Sequence, residues 1–299
     1  MGQVVQLVGL ASGFLLALAL WVRRSRPVEP ALVRLLLGAP LIFVGGKALY
    51  LLQHGGWGKE ALTGPGYSGF GALFLVLTFW IVSFRFQPGP LFEFLDVVTP
   101  AAAVGLFFGR ISCFLRGCCG GVACDLPWAV EFPPNTPLFA WQLAQGFVHP
   151  WSRSTLPVHP VQLYEAAFAL LAGVGLLLLL TRKQLPPGRV FFCGALGYGV
   201  FRFFIEELRF DGGRLLSQGE GSWAQFMALG LALVGLAGVL LPGRKPQFGF
   251  PLDAQETEFA FQSASSSQAN RADRRVCTRS EADAIRSRVS SEDGSLPAK

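Results

Sequence analysis

Apolar residues fill seven stretches of the chain, each close to the length that a membrane-spanning helix requires. A helix needs about 20 mostly apolar residues to cross the hydrocarbon core of a bilayer. The fourth stretch is the least uniform, because Glu93, Asp96 and Pro100 interrupt it. The stretches are 4–22, 31–53, 66–84, 91–109, 160–181, 188–207 and 222–241. The pattern predicts an all-α integral membrane protein, a seven-transmembrane-helix bundle.

Composition and loop charge agree with this architecture and add an orientation. Hydrophobic residues make up 52% of the chain and charged residues 15%, whereas a soluble domain has about 25% charged residues. Many basic residues fall on one side of the bundle if the N-terminus is outside: Arg23, Arg24, Arg26, Arg85, Arg182, Lys183, Arg189, Arg244 and Lys245. By the positive-inside rule that side is the cytoplasm. The net charge of +6 therefore reflects membrane orientation and not nucleic-acid binding.

The chain divides by composition into a membrane domain and a polar tail. We expect the seven-helix domain to cover residues 1–245, with a retained first helix, because the N-terminus lacks the basic region of a signal peptide. Residues 110–158 are rich in Pro, Trp and Phe and are expected to form a periplasmic or interfacial connection. Residues 246–299 are Ser-rich with mixed charge, which predicts a disordered cytoplasmic tail.

A polar stripe crosses the sixth apolar stretch, in the sequence YGVFRFFIEELR at 198–209. Each residue of an α-helix advances about 100°, so Tyr198, Arg202, Glu206 and Arg209 fall within about 80° of one another. One interpretation is a helix end whose long side chains reach the interface and pair at i,i+4. Arg202 is nearly two turns deeper than Arg209, and a charge at that depth is costly without a purpose. The stripe therefore favours an anion-binding site inside the bundle.

The sequence HPVQLYE at 159–165 opens the fifth apolar stretch. Pro160 suits the first turn of a helix, which places His159, Gln162 and Glu165 on one face. A simple capped helix start with an interfacial His and Tyr is the alternative. A buried carboxylate at Glu165 needs a partner, and the arginines of the sixth stretch are the natural candidates.

The sequence GRISCFLRGCCGG at 109–121 follows the fourth stretch and contains Arg110 and most of the outer cysteines. Its glycines indicate a turn or a close backbone approach. On the oxidising side of a membrane, a structural disulfide or buried thiols are the favoured interpretations. The spacing of Cys113, Cys118, Cys119 and Cys124 is not a standard zinc pattern, so no metal is predicted, although a site with His149 or His159 is a further alternative.

Together the three motifs resemble those of the prolipoprotein diacylglyceryl transferases, seven-helix enzymes of the bacterial inner membrane. The family's HPxQLYE is present at 159–165, its YGxxRxxxExxR at 198–209 and the GR of its signature at Gly109 and Arg110. Asp96 and Pro100 are similar to an Asp and a Pro upstream of that signature. The resemblance covers about residues 4–245, in the same order and with the same N-out, C-in orientation.

The resemblance implies transfer of a diacylglyceryl group from phosphatidylglycerol to the lipobox cysteine thiol of a prolipoprotein, with glycerol phosphate as the leaving group. Phosphatidylglycerol, prolipoprotein signal peptides and membrane lipids are then the partners, with no nucleic acid and no cofactor. The implied catalytic residues are His159, Glu206 and Arg202, and the implied substrate-binding residues are Arg110, Gln162, Glu165, Tyr198 and Arg209. The arginines would hold the phosphate and the glutamates would position them, while His159 or Glu206 would accept the thiol proton.

The chain also departs from the family pattern. The signature typically continues GRxGNFxNxE, whereas this chain has Cys113 and Arg116 at the two Asn positions and Cys118 at the Glu position. Ser68 stands where a His is typical, and Val158 where an Arg precedes HP. Two other functions follow from these departures: a non-catalytic or altered-specificity phospholipid-binding membrane protein on the same scaffold, and a membrane thiol–disulfide protein. The ordered motifs favour the transferase.

Overall fold

The computed structural model describes residues 1–54, 62, 66–87, 89–182, 185–210 and 222–241. The predicted tail 246–299 and the loop residues Lys183, Arg244 and Lys245 lie outside these ranges. The helices are α1 Gly2–Val22, α2 Val28–His54, α3 Gly69–Phe86, α4 Leu91–Arg116, α5 Pro137–Ala144, α6 Val161–Leu180, α7 Arg189–Ile205 and α8 Trp223–Leu240. A 3₁₀ turn, Glu206–Leu208, follows α7.

Each of the seven apolar stretches forms a helix, and the prediction of an all-α membrane protein is confirmed. Six helices of the described residues, all the long ones except α7, are long and apolar enough to cross a membrane. Helix α7 has 17 residues, about 26 Å at 1.5 Å per residue, and the 3₁₀ turn extends it. The chain is a multi-pass membrane protein.

Helix α4 lies at the centre of the bundle and packs against α1, α6 and α7, while α2 pairs with α3 and α7 with α8. Small residues allow these close contacts, as is usual between helices in lipid. A Cβ atom at Gly199 of α7 would lie 2.6 Å from the backbone nitrogen of Ala232 in α8. The central position of α4 brings its last turns beside the beginning of α6 and the end of α7.

At one end of the bundle, α1 finishes and α2 begins; we call this the α1–α2 end. An aromatic core fills it, with Trp21, Trp80 and Phe84 packed around the ring of Phe94. Asp96 is 3% exposed and accepts hydrogen bonds from the backbone nitrogens of Gly188 (2.7 Å) and Phe191 (2.8 Å). Its carboxylate therefore caps the beginning of α7, where the helix dipole favours negative charge.

Arg34 of α2 also lies at the α1–α2 end, and each of its three side-chain nitrogens donates to a protein group. The acceptors are the carbonyl oxygens of Pro30 (3.2 Å) and Gln87 (3.0 Å) and the Ser83 Oγ (3.2 Å). The guanidinium lies 3.9 Å from the centroid of the Phe84 ring. These contacts satisfy a charge that would be costly to expose to lipid.

The opposite end, which we call the α4–α6 end, is covered by the connection between those helices. Helix α4 continues to Arg116, beyond the expected end at residue 109, so Arg110 lies within its last two turns. The residues that follow fold over a small core of Phe132, Leu138 and Val158. Thr136 caps α5 by accepting from the backbone nitrogen of Phe139. The connection is thus a folded cap over the ends of α4, α6 and α7.

Candidate functional site

Backbone hydrogen bonds bring the three sequence motifs together at the α4–α6 end. The Gly121 nitrogen donates to the His159 carbonyl oxygen (3.0 Å), and the His159 nitrogen donates to the Val122 carbonyl oxygen (3.0 Å). On the other side, the Val122 nitrogen donates to the Leu208 carbonyl oxygen (2.9 Å). The segment after α4 therefore runs between the beginning of α6 and the end of α7.

Gly121 is required at the middle of this arrangement. A Cβ atom there would lie 2.6 Å from His159 Cβ, 2.7 Å from the His159 carbonyl oxygen and 2.8 Å from the Leu208 carbonyl oxygen. Two of these three neighbours are backbone atoms that cannot move aside independently of the chain. Glycine therefore sets the spacing between the two motifs that flank it.

Glu165 of α6 links the other two motifs through ion pairs. Its Oε2 lies 3.0 Å from Arg110 Nε in α4 and 3.5 Å from Arg209 Nη1 beyond α7. The glutamate is 2% exposed. A carboxylate at this depth is stable only with cationic partners. Arg209 of the predicted polar stripe is one partner, as expected, and Arg110 of α4 is the nearer one.

Glu206 provides a second buried carboxylate beside the first. Its Oε2 contacts Arg202 Nη1 and lies 3.6 Å from Arg209 Nε, and its Oε1 accepts a hydrogen bond from Ser222 Oγ (3.1 Å). Arg209 thus lies between Glu165 and Glu206 and contacts both. Three arginines and two glutamates form one connected group, which we call the arginine–glutamate cluster: Arg110, Arg202, Arg209, Glu165 and Glu206.

The cluster keeps hydrogen-bonding groups for a ligand. Glu165 contacts Arg110 through Nε, and within the described residues the two Nη groups of Arg110 make no hydrogen bond. Glu165 Oε1 likewise accepts no hydrogen bond from any described residue. Guanidinium forks suit phosphate oxygens, which they bind through paired hydrogen bonds. A neighbouring carboxylate oxygen suits a hydroxyl group, so the cluster has the chemistry to hold an anion that also carries hydroxyls.

Two further predicted binding residues lie beside the cluster. Gln162 is fully buried, and its Nε2 donates to the Cys118 carbonyl oxygen at 2.7 Å, so it ties α6 to the segment after α4. Tyr198 of α7 lies close enough to Arg110 to interact with it electrostatically. Both side chains therefore border the cluster, with Gln162 directed to the backbone of the signature segment.

The two candidate bases have different surroundings. Both carboxylate oxygens of Glu206 already have partners, with Arg202 and Arg209 at Oε2 and Ser222 at Oε1. The His159 ring lies edge-on to Tyr164, with 6.3 Å between the ring centroids. Its Nδ1 is buried and has no hydrogen-bond partner among the described residues.

Three cysteines form a second cluster next to the first. The sulfur atoms of Cys113, Cys118 and Cys119 all lie within 4.8 Å of one another, and the five cysteines that the structure describes are free thiols. Hydrogen bonding to Cys113 and to Cys119, with burial, raises the pKa of the Cys118 thiol. The sequence indicated a turn here but not that it would bring three sulfurs together; we call these residues the thiol cluster.

Ser68, at the position where a histidine is typical, lies at the beginning of α3. Its backbone nitrogen donates to the Gly46 carbonyl oxygen (2.9 Å), and the adjacent Tyr67 hydroxyl donates to the Ile42 carbonyl oxygen (2.8 Å). The described contacts of both residues join α3 to α2 and do not reach the arginine–glutamate cluster.

Sequence reasoning missed Ser222, whose hydroxyl holds Glu206. A signal was available, because Ser222 and Gln225 form a reciprocal capping box at the beginning of α8. That pattern fixes the helix start but does not indicate which other residue the serine contacts. Only the packing of α8 against α7 shows that its capped end meets the cluster.

Comparison with known proteins gives one consistent family. Residues 4–241 match the prolipoprotein diacylglyceryl transferase family. Three relatives carry the name phosphatidylglycerol–prolipoprotein diacylglyceryl transferase. The protein from Pseudomonas putida (strain W619) is 35% identical over 162 residues, which is 52% of this chain and 55% of the relative. That from Azotobacter vinelandii is 33% identical over 167 residues (55% and 56%), and that from Clostridium tetani 35% identical over 144 residues (48% and 51%). The chain spans about half the length of these relatives.

Proposed function

The chain belongs to the prolipoprotein diacylglyceryl transferase family, and we propose that it transfers the diacylglyceryl group of phosphatidylglycerol to the thiol of a prolipoprotein's lipobox cysteine. The matched relatives carry that activity in their names. One observation supports the proposal most strongly. Residues from three separate motifs meet in a buried cluster of three arginines and two glutamates, counted over the described residues.

The arginines would bind the phosphate of phosphatidylglycerol. Arg110 presents its Nη groups, and Arg202 lies deeper in the bundle at 7% exposure. As the bond between the glyceryl carbon and the phosphate oxygen breaks, negative charge grows on the leaving phosphate. Donors already fixed by Glu165 and Glu206 stabilise that charge without rearranging, and they act strongly where water is excluded. Glu165 Oε1 would accept a hydrogen bond from a hydroxyl of the glycerol head.

The acceptor thiol must lose its proton before it attacks, since the thiolate is the nucleophile. In the overall reaction a sulfur–carbon bond replaces the carbon–oxygen bond, glycerol phosphate leaves with the bonding electrons, and the thiol proton is released. His159 is the proposed acceptor of that proton, because the oxygens of Glu206 are already engaged. Glu206 then serves to position Arg202 and Arg209.

The location of this reaction follows from the proposed orientation. We place the N-terminus and the α4–α6 end outside the bacterial inner membrane, residues 1–245 within it as the catalytic domain, and the tail 246–299 in the cytoplasm. The connection from 110 to 158 would lie at the outer interface. A lipobox cysteine at the end of a signal peptide would reach the cluster at that level, and phosphatidylglycerol would enter from the outer leaflet.

Lipid transfer in cells tests the proposal. The chain is expressed in bacteria depleted of their own transferase, and a reporter prolipoprotein is recovered and analysed by mass spectrometry. We expect a thioether-linked diacylglyceryl group on its lipobox cysteine, and none with an Arg202→Ala chain of equal abundance. If phosphatidylglycerol copurifies with the chain but the reporter stays unmodified, the protein binds the lipid without transferring it, and the proposal is wrong.

A further inference from the structure

The end of helix α4 brings two of the cluster's thiols together through its capping geometry. Gly117 adopts a left-handed conformation with φ +61°, and the Cys118 nitrogen donates to the Cys113 carbonyl oxygen at 3.1 Å. This is the hydrogen bond of a Schellman cap, in which glycine turns the chain back over the last helical turn. A Cβ at residue 117 would also lie 2.5 Å from Thr136 Cγ2. The turn thereby brings Cys118 back beside Cys113.

Cys119 joins them through a second unusual backbone conformation. Its φ is +56°, a region that residues other than glycine seldom adopt. With this turn all three sulfurs lie within 4.8 Å of one another. The arrangement is fixed from outside as well, because Gln162 Nε2 donates to the Cys118 carbonyl oxygen. The three cysteines are half-buried, so the cluster is held in place and each of its residues stays partly exposed.

A shared metal ion accounts for this geometry better than a disulfide does. A disulfide would join two sulfurs and leave the third, and the adjacent Cys118 and Cys119 are poorly placed to pair with each other. A thiophilic divalent ion such as Zn²⁺ binds thiolates at about 2.3 Å, which places the sulfurs roughly 4 Å apart. The observed spread is therefore close to that of three ligands of one ion.

The neighbouring charges suit such a site. Three thiolates around one divalent ion carry a net negative charge, which nearby cations stabilise. Arg116 Nη2 lies 3.8 Å from Cys113 Sγ, and Arg110 precedes Cys113 by three residues, just under one helical turn and about 4.5 Å of rise. Arg110 also belongs to the arginine–glutamate cluster, so the thiol cluster adjoins the proposed phosphate site.

We propose that Cys113, Cys118 and Cys119 bind a thiophilic divalent cation of the Zn²⁺ class, and that its fourth position takes the acceptor thiol. The second part rests on the proposed transferase function. Zinc sites that act in catalysis have three protein ligands and one open position, and a thiol that coordinates the ion loses its proton. Metal binding would thus favour the thiolate form of the acceptor. His159 is the one histidine that the proposed mechanism uses.

The acceptor thiol coordinates the ion, and its proton passes to His159, the acceptor proposed above. Its sulfur attacks the glyceryl carbon that carries the phosphate, the carbon–oxygen bond breaks, and both bonding electrons leave with glycerol phosphate. The product thioether has no charge on sulfur and is a weaker ligand, so the lipidated peptide departs and the three cysteines keep the metal. No oxidation or reduction is involved.

Metal binding is tested on the full chain, purified in detergent without oxygen after reduction. Co²⁺ serves as the probe because thiolate coordination gives it a strong near-ultraviolet charge-transfer absorption, and Zn²⁺ should displace it. We expect about one equivalent bound, loss of the absorption in Cys113→Ser, Cys118→Ser and Cys119→Ser, and full retention in Cys124→Ser. The metal site is refuted if the wild-type chain shows no such absorption, or if alkylation in intact cells traps a disulfide between two of the three cysteines.

The fourth position is tested with a lipobox peptide. Adding the cysteine peptide to the Co²⁺-loaded chain should alter the visible d–d bands, while the same peptide with serine should not. An equal response to both peptides overturns thiol coordination. Lipid transfer by a chain that binds no metal would overturn this inference and leave the proposed function intact. Metal binding with no transfer in depleted cells would refute the proposed function and, with it, the role of the fourth position.

Discussion

The two ends of the bundle both bury charged side chains, but they use them differently. At the α1–α2 end, Arg34 donates to two backbone carbonyls and one serine hydroxyl and lies over an aromatic ring. At the α4–α6 end, the closest contact of Arg110 with a carboxylate is through Nε, and its two Nη groups make no hydrogen bond among the described residues. The protein provides an acceptor for each side-chain nitrogen of Arg34, whereas Arg110 is held in place and keeps donors for a ligand.

The contrast shows how a structural charge differs from a functional one in a membrane protein. A buried guanidinium that joins helix ends needs only enough acceptors to offset its desolvation. A guanidinium that binds a ligand must instead be oriented by one partner while its remaining donors face a cavity. The carboxylates of Glu165 and Glu206 provide that orientation. The two ends should therefore respond to mutation in opposite ways.

The largest effect is expected from Arg202→Ala. Removing a donor that stabilises the leaving phosphate should lower transfer by about 10²–10³-fold. Stability should change little, because Glu206 keeps Arg209 and Ser222 as partners. Mass spectrometry of a reporter prolipoprotein gives the rate, and the melting temperature in detergent gives the stability. Arg202→Lys keeps the charge but loses the paired guanidinium donors, so its transfer rate should lie between those of the wild type and the alanine variant. Full activity in the alanine variant would contradict the assignment.

Arg34→Ala is the matched change at the α1–α2 end and should produce the opposite result. It removes three hydrogen bonds and the packing over Phe84, with an expected loss of about 2–3 kcal/mol in the free energy of unfolding. The melting temperature and the yield of folded protein should fall, while transfer per folded molecule stays at the wild-type rate. A catalytic defect without a change in stability would break the contrast between the two ends.

Gly121→Ala tests the spacing of the motifs without changing any charge. The added methyl group meets backbone oxygens of His159 and Leu208 within 3 Å, so the segments that carry Glu165 and Arg209 must move apart. Transfer should fall roughly tenfold, because small displacements at a reacting site are costly. Gly105→Ala is the control, since a Cβ there meets nothing within 4 Å, and it should transfer at the normal rate. Equal rates for the two variants would show that the spacing is not critical.

Asp96→Asn should have the smallest effect. The amide keeps one acceptor oxygen where the carboxylate accepted from Gly188 and Phe191, so we expect a loss of about 1 kcal/mol in stability. Transfer should be unchanged, since this residue caps α7 at the end away from the cluster. Thermal unfolding in detergent measures the first quantity and the reporter assay the second.

Much of the fold was predictable because helices in lipid are defined by apolar length, and each of the seven stretches forms one. The pairing of Glu165 with an arginine of the polar stripe followed from the cost of a buried carboxylate. Helical periodicity was a partial guide to the stripe itself, because α7 ends at Ile205 and Glu206 and Arg209 lie in the 3₁₀ turn and just after it. The contacts that depend on tertiary packing did not follow. Ser222 reaches Glu206 only through the packing of α8 on α7, and α4 continues past residue 109 to Arg116, where Gly117 caps it.

The thiol cluster is a second feature that could not be predicted from the sequence. The spacing of Cys113, Cys118 and Cys119 matches no standard metal pattern, since it arises from a helix cap followed by a left-handed residue rather than from a regular turn between ligands. The glycine at 117 is visible in the sequence, but the φ of Cys119 is not. Local backbone conformations that ordinary residues seldom adopt escape prediction from residue type.

Lipid selectivity of the purified chain tests the central claim most directly. The protein in detergent is given equal amounts of phosphatidylglycerol and phosphatidylcholine with the same acyl chains, and native mass spectrometry reports the bound lipid. We predict a preference for phosphatidylglycerol in the wild-type and Arg34→Ala chains that disappears when Arg110 and Arg202 are both changed to Gln. An undiminished preference in the double variant would show that the arginine–glutamate cluster does not hold the headgroup.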